Sequence, residues 1–366
     1  MSAVGESLTA ERLDVDPDVT AFTKLATDAG WGDGLPLVPP TEEKVQAFVA
    51  ASRRYPEHVL GEIPPRGAAC TVELLAINAV MAGAPAESMP LLVAAIEAMT
   101  APEYGLFSQN ATTNSVVPGL LVNGPIRHDL EIPFGAGCFG GQAGPAPAIG
   151  RATRLVMRNV GDQVVGVTSK SVFGQPARVV SFVVGEWEER SPWTPLAERR
   201  GVPGNAVTVF GGTGTIDIAD IHADSGPELL EIIGKSLAFP GTNAFIHRSV
   251  SGSGGDEDIL VCLPPPWVDL ITADIPDLED VQHLLWMHAA LPVSWWPATH
   301  REKLEAHDVI DDRGYVKLLS TPEQYLVMVC GGLGNLHALA LHTFGQGHSV
   351  TRPIGDIPPP PNGSAS

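Results

Sequence analysis

Gly119–Leu130 reads GLLVNGPIRHDL and Asp258–Leu270 reads DILVCLPPPWVDL. Each is an apolar run, then a proline turn, then a short segment closing in Asp-Leu. An unbroken apolar run of this length suits a strand buried on both faces. Proline ends the run because it has no N–H to give to a ladder.

The resemblance extends outward from this pair. Upstream, ELLAINAVMAGAP (Glu73–Pro85) is matched by ELLEIIGKSLAFP (Glu228–Pro240), both with apolar residues at helical spacing. Downstream, IGRATRLVMRNVG (Ile149–Gly161) is matched by LEDVQHLLWMHAALP (Leu278–Pro292). A last pair, RVVSFVV (Arg178–Val184) and YLVMV (Tyr325–Val329), reads as strand. The order helix, strand, helix, strand thus occurs twice, which predicts an internal duplication of α/β units packed about a pseudo-twofold axis. The expected division is residues 21–200 for the first unit and 201–354 for the second. Residues 1–20 are expected to be flexible, and the Pro/Ser/Gly-rich tail 355–366 disordered. A ligand is expected in the cleft between the units, where equivalent loops face each other.

The chain has 366 residues, 44% hydrophobic and 17% charged, with a net charge of −20. That charge repels phosphate backbones, so nucleic acid and anionic membrane are not expected partners. No uncharged apolar stretch reaches the roughly 18 residues of a membrane span. The N-terminus lacks the basic-then-apolar order of a secretion signal, so a cytoplasmic location is expected. Four cysteines, Cys70, Cys138, Cys262 and Cys330, lie far apart without a CxxC pair, which excludes a zinc ribbon and a thioredoxin motif. In a reducing compartment they are free thiols.

The two units differ most after their last strands. The first continues GEWEERSPW (Gly185–Trp193) and the second CGGLGNLHALALH (Cys330–His342). Cys330 ends a strand, precedes Gly331, Gly332 and Gly334, and is expected to stand at a helix N-terminus, where the dipole favours thiolate. His337 is the expected proton carrier, and the glycines would bring backbone N–H groups to an anion. The bland alternative is a small apolar filler beside a tight turn. Glu186, next to Trp187, is a second catalytic candidate, because burial beside an aromatic ring raises a carboxyl pKa.

Substrate-binding candidates follow from loop chemistry. Cys138 lies in the glycine-rich FGAGCFGGQAGPAPAIGR, which runs into a helix carrying Arg151 as an anion clamp. Asn114 belongs to the polar stretch FSQNATTNSVVPG, and Asn123 and Arg127 close a strand in VNGPIR. GGTG (Gly211–Gly214) reads as a loop after the strand AVTVF; no GxGxxG follows, so a Rossmann nucleotide site is not expected. His337, His342 and His348 fall within twelve residues, and a helix followed by a loop would gather them around a divalent metal, although no HExxH motif is present. The sequence itself requires no cofactor.

The segments GWGDGLPLVPPTEEKV (Gly30–Val45), INAVMAG (Ile77–Gly83), LVNGPIR (Leu121–Arg127), AIGRATRLVMRNVG (Ala148–Gly161) and SVTRPI (Ser349–Ile354) resemble a bacterial family of poorly defined activity. That family is sometimes found beside or fused to UGSC-motif (seleno)proteins. The resemblance spans about residues 20–355 and implies thiol-related chemistry, but it assigns no catalytic residue, and the UGSC motif itself is absent.

Three functions remain open on the sequence. The leading one is an enzyme of lyase, hydrolase or transferase type, acting on a small polar or anionic metabolite by cysteine or acid/base chemistry. The others are a metal-dependent enzyme using the C-terminal histidines and a non-catalytic binding or thiol-redox accessory protein. Homo-oligomerisation is compatible with each.

Overall fold

The computed structural model describes residues 8–252, 257–345 and 347–355. Of the expected flexible N-terminus, residues 1–7 lie outside this set, as do residues 356–366 of the expected disordered tail.

The fold is mixed α/β. Its strands in chain order are β1 (Val59–Ile63), β2 (Ala68–Thr71), β3 (Val117–Asn123), β4 (Phe182–Gly185), β5 (Ala206–Ala219), β6 (Ile259–Leu263), β7 (Ala290–Pro292), β8 (Tyr315–Lys317), β9 (Tyr325–Val329), β10 (His337–Thr343) and β11 (Val350–Pro353). The pairs β1–β2 and β7–β8 are small hairpin-like sheets. The other seven strands form one mixed sheet in the order β4-β3-β5-β10-β6-β9, with β11 beside β5.

The order reads alike from either edge. β4 and β3 are parallel and β3 is antiparallel to β5; β9 and β6 are parallel and β6 is antiparallel to β10. The long β5 joins the halves, pairing β3 along residues 206–212 and β10 along residues 212–219.

Strand alternation sends successive side chains to opposite faces. One face of the first half, with Leu120, Val122, Val183, Val207 and Val209, packs on the helices Val72–Ala82, Met89–Met99 and Ala146–Asn159. The same face of the second half, with Val261, Leu263, Val327, Val329 and Ala340, packs on Gly226–Leu237, Pro265–Asp274 and Leu278–His288. The opposite face is buried against itself. Val117 and Leu121 of β3, Val184 of β4, Phe210 of β5, Leu260 of β6, Met328 of β9 and Leu341 of β10 form a third, inner core. Burial on both faces is why the quoted strands read as continuous apolar runs. Gly119 is required here because the Phe210 ring lies where its Cβ would be.

To bury that inner face the sheet curls until its edges meet. The Trp187 N–H, just past β4, donates to the Val329 carbonyl of β9 at 2.7 Å. The segment Pro133–Phe134 stitches both edges: Pro133 O accepts from the Gly185 N–H (2.9 Å) and Phe134 O from the Gly331 N–H (2.8 Å). Arg199 caps the same edge with a hydrogen bond to Val327 O at 2.6 Å.

Two expectations are corrected. The residues after Cys330 do not form a helix; a short exposed turn leads into strand β10, so no helix dipole reaches the thiol. The alternation of HALALHT suits a strand with one face on the inner core and the other on the helices. GGTG is not a loop but the middle of β5, where Gly211 and Gly212 leave room for the Gln109, Phe182 and Phe210 side chains. The main sheet takes strands from both sides of residue 200.

Candidate active site at the seam

Glu186 and Cys330 are the first residues beyond the two edge strands, and the curl of the sheet brings their surroundings together. Each backbone N–H bonds inward to the neighbouring strand, Glu186 to Val122 O (3.2 Å) and Cys330 to Leu263 O (3.0 Å). The electrostatic field of Glu186 acts on both Cys262 and Cys330.

Three of the four thiols converge here. Cys262 points inward from β6, Cys330 follows β9, and Cys138 arrives from the loop after Pro133. The Cys330 thiol is hydrogen-bonded with the thiols of Cys138 and Cys262. The bond with Cys138 favours a Cys330 thiolate, but the bond with Cys262, burial and the field of Glu186 outweigh it, and the pKa stands well above its ordinary value. Cys138 is likewise pushed up, first by its bond to Cys330 and then by burial, and Cys262 is pushed up mainly by burial. The trio is therefore neutral at physiological pH. Cys70 lies apart in β2, its pKa pushed up to about 12 by burial.

Glu186 is 1% exposed. One carboxyl oxygen accepts from Asn123 Nδ2 (2.7 Å) and from the Leu196 N–H (2.8 Å). Burial raises its pKa against these donors and the nearby Arg199 charge. Arg127 is equally buried and fully engaged. Its Nε donates to Gly124 O (2.9 Å), its guanidinium meets Glu188 (3.1 Å) and Glu189 (2.9 Å), and it also bonds the Glu186 carbonyl. Burial opposes ionisation of Glu189, but a backbone N–H, Arg127 and His128 hold its carboxyl down to about 2. Asn123 Nδ2 also reaches Glu188 at 2.9 Å, while its Oδ1 is buried without a partner among the described residues.

Two glycine-rich loops cover the seam. In residues 135–144, Cys138 is buried while most neighbours are exposed, and positive φ at Gly137, Gly140 and Gly141 allows the tight turns that push it inward. Residues 331–336, with Gly331 at φ 95°, form the other cover, and Gly332 lies against Ala136. Gly334 is exposed.

The structure therefore brings together Cys330, Cys138, Glu186, Asn123, Arg127, Gly331 and Gly332 from the sequence candidates. Cys262 was not among them, although its place in DILVCL, matching Asn123 in the paired strand, was a usable signal. Other candidates lie elsewhere. Arg151 is no free clamp: its guanidinium holds Asp33 (2.6 and 2.7 Å) and the carbonyls of Leu35 and Pro36. Asn114 folds back on its own turn, its Oδ1 taking the Ser115 N–H. His337 is exposed at the start of β10, 3.3 Å from Asp217 and separated from Cys330 by β6.

The three histidines do not share a site. His337 and His342 are five apart in a strand, which places them on opposite faces. His342 is buried and stacked on Phe239, and burial lowers its pKa to about 4. His348 lies between β10 and β11, its N–H bonded to Glu103 O. Among the described residues no group of His, Cys, Asp and Glu has the geometry of a metal site. No helix among them is long and apolar enough to cross a membrane.

Compared with known proteins, the chain matches no family model, no curated protein and no solved structure.

Proposed function

We propose that the protein is a thiol-dependent enzyme acting on a small polar metabolite, with Cys330 as the reacting thiol. The observation that carries this reading is the convergence of three thiols and a buried carboxyl where the two sheet edges meet. The proposal includes a duplicated origin: the sheet order, alike from either edge, and the four matched segments support two α/β units related by a pseudo-twofold axis.

In this reading the resting site is closed. Displacement of the loop bearing Cys138 forfeits the one bond that favours the Cys330 thiolate, but it admits water and substrate and so relieves the burial that holds the thiol neutral. Glu186, ionised, takes the Cys330 proton, and the thiolate attacks a substrate carbonyl carbon; the C=O π pair moves onto oxygen, and as it returns to expel the leaving group Glu186 gives its proton to that group. Glu186 replaces His337 as proton carrier. Asn123 Oδ1, without a partner among the described residues, and the Gly332 backbone orient the substrate's polar groups. Metal chemistry by the C-terminal histidines is not part of this reading, because two of the three face opposite sides of a strand.

A second reading, a thiol-redox accessory protein, is favoured by the mutual contact of the thiols. Turnover separates the two. In a screen of small electrophilic metabolites, Cys330→Ser should lower turnover by about 10³-fold or more, while Cys70→Ser leaves it unchanged. Full activity in Cys330→Ser would remove the proposal.

A further inference from the structure

We infer that the hollow beneath the N-terminal strap is a binding site for a small organic cation with an apolar body, independent of the thiol seam. The cavity has a volume of about 550 Å³ and is lined by Phe22, Leu25, Trp31, Ile77 and Met81, with Leu13 contributed by the strap. That volume is within the usual range for small-molecule sites.

The hollow is a built feature. Residues 8–18 cross it and are tied down at two points. The buried Glu73 carboxylate accepts from the Thr9 N–H (3.0 Å), the Thr9 hydroxyl (2.9 Å) and the Ala10 N–H (2.9 Å). Further along, Arg12 pairs with Glu42 at 3.0 Å. Glu73 is in the first turn of the helix Val72–Ala82, where the helix dipole supports its charge. The far wall is fixed by Arg151, which grips Asp33 and the carbonyls of Leu35 and Pro36 and so sets the GWGDGLPLVPP segment that carries Trp31.

The lining selects its ligand. Leu13, Leu25 and Trp31 remain 52%, 37% and 37% exposed, a concentration of uncovered apolar surface inside one concavity. The charged residues lining it are Glu11, Asp14, Glu42 and Glu73 against Arg12, which is already paired with Glu42; Arg158, held on the Gly30 carbonyl beside Trp31, is a second nearby cation and leaves the carboxylates in excess. The local field therefore repels anions and attracts cations. Trp31 lines the hollow, and indole is the side-chain ring that binds an ammonium group best.

The test is calorimetric titration of the full-length protein at low ionic strength with benzyltrimethylammonium, benzyl alcohol and phenylacetate. The cation should bind with a Kd below about 1 mM and about tenfold tighter than the alcohol, with no binding of phenylacetate. Trp31→Ala should weaken the cation about tenfold. The rim variant Glu11→Gln/Asp14→Asn, which changes only exposed side chains, should weaken it several-fold and leave the melting temperature unchanged. Equal binding of the alcohol or the carboxylate, undetectable binding of the cation, or wild-type affinity in both variants would overturn the site.

Discussion

At the end of β4 a carboxyl is buried among strong donors: Asn123 and the Leu196 N–H hold Glu186, while Arg127 ties together Glu188, Glu189 and two carbonyls. At the end of β9 a thiol is buried among other thiols, with no charged donor bound to it. The two ends occupy like positions in a sheet that reads alike from either edge, and they meet through Trp187 and Val329. The difference separates two tasks. At the β4 end Arg127, Glu188 and Glu189 are engaged in fixing the seam. The β9 end leaves soft groups held by weak partners.

The comparison can be broken most forcefully at Arg127. Arg127→Met keeps much of the volume but strips the donors from the buried Glu186 and Gly124 carbonyls and the cation from Glu188. It should cost about 3 kcal/mol, read as a lowered urea midpoint with unchanged slope. An unchanged midpoint would mean that the β4 end is not held by this network.

A smaller effect sharpens the same contrast at Glu186. Burial raises its folded-state pKa above the ordinary 4.5, so the folded protein holds this proton more tightly than the unfolded chain does. Its contribution to stability is complete below pH 4.5 and is lost as pH rises through the folded value. Glu186→Gln cannot titrate, so its stability relative to wild type should increase between pH 4.5 and 8. Parallel denaturant titrations check this. The buried Asp258, also raised by burial, cancels in the difference. A constant difference across that range would show that Glu186 titrates normally.

Much of this arrangement was legible in the sequence. The matched segments fall on helix, strand, helix, strand in the expected order, because strands buried on both faces and helices under a sheet leave strong apolar patterns; the exception is residues 178–180, read as strand but folded in the short helix Ala177–Val180 before the strand Phe182–Gly185. Asn123, Glu186 and Cys330 were recognisable as strand-end residues for the same reason, whereas Arg127 lies in the short helix Ile126–Asp129 beyond the strand. What was not legible depended on long-range contact. HALALHT suits a strand only when both its faces find a core. The glycines inside β5 look like a loop until Phe210 and Phe182 need their space. Arg151 looks like a free clamp because its partner, Asp33, is 118 positions away. The inward turn of Cys138 depends on the sheet curling, which no local pattern announces.

The contact between the thiols of Cys138 and Cys330 underlies the whole account of the seam. Mild oxidation of the native protein with diamide, which takes up both thiol hydrogens as the sulfurs join, followed by non-reducing peptide mapping, tests it directly. A disulfide joining Cys330 to Cys138 is expected, with Cys262 the alternative partner and Cys70 left free. A protein whose Cys330 stays unpaired, or pairs with Cys70, would contradict it.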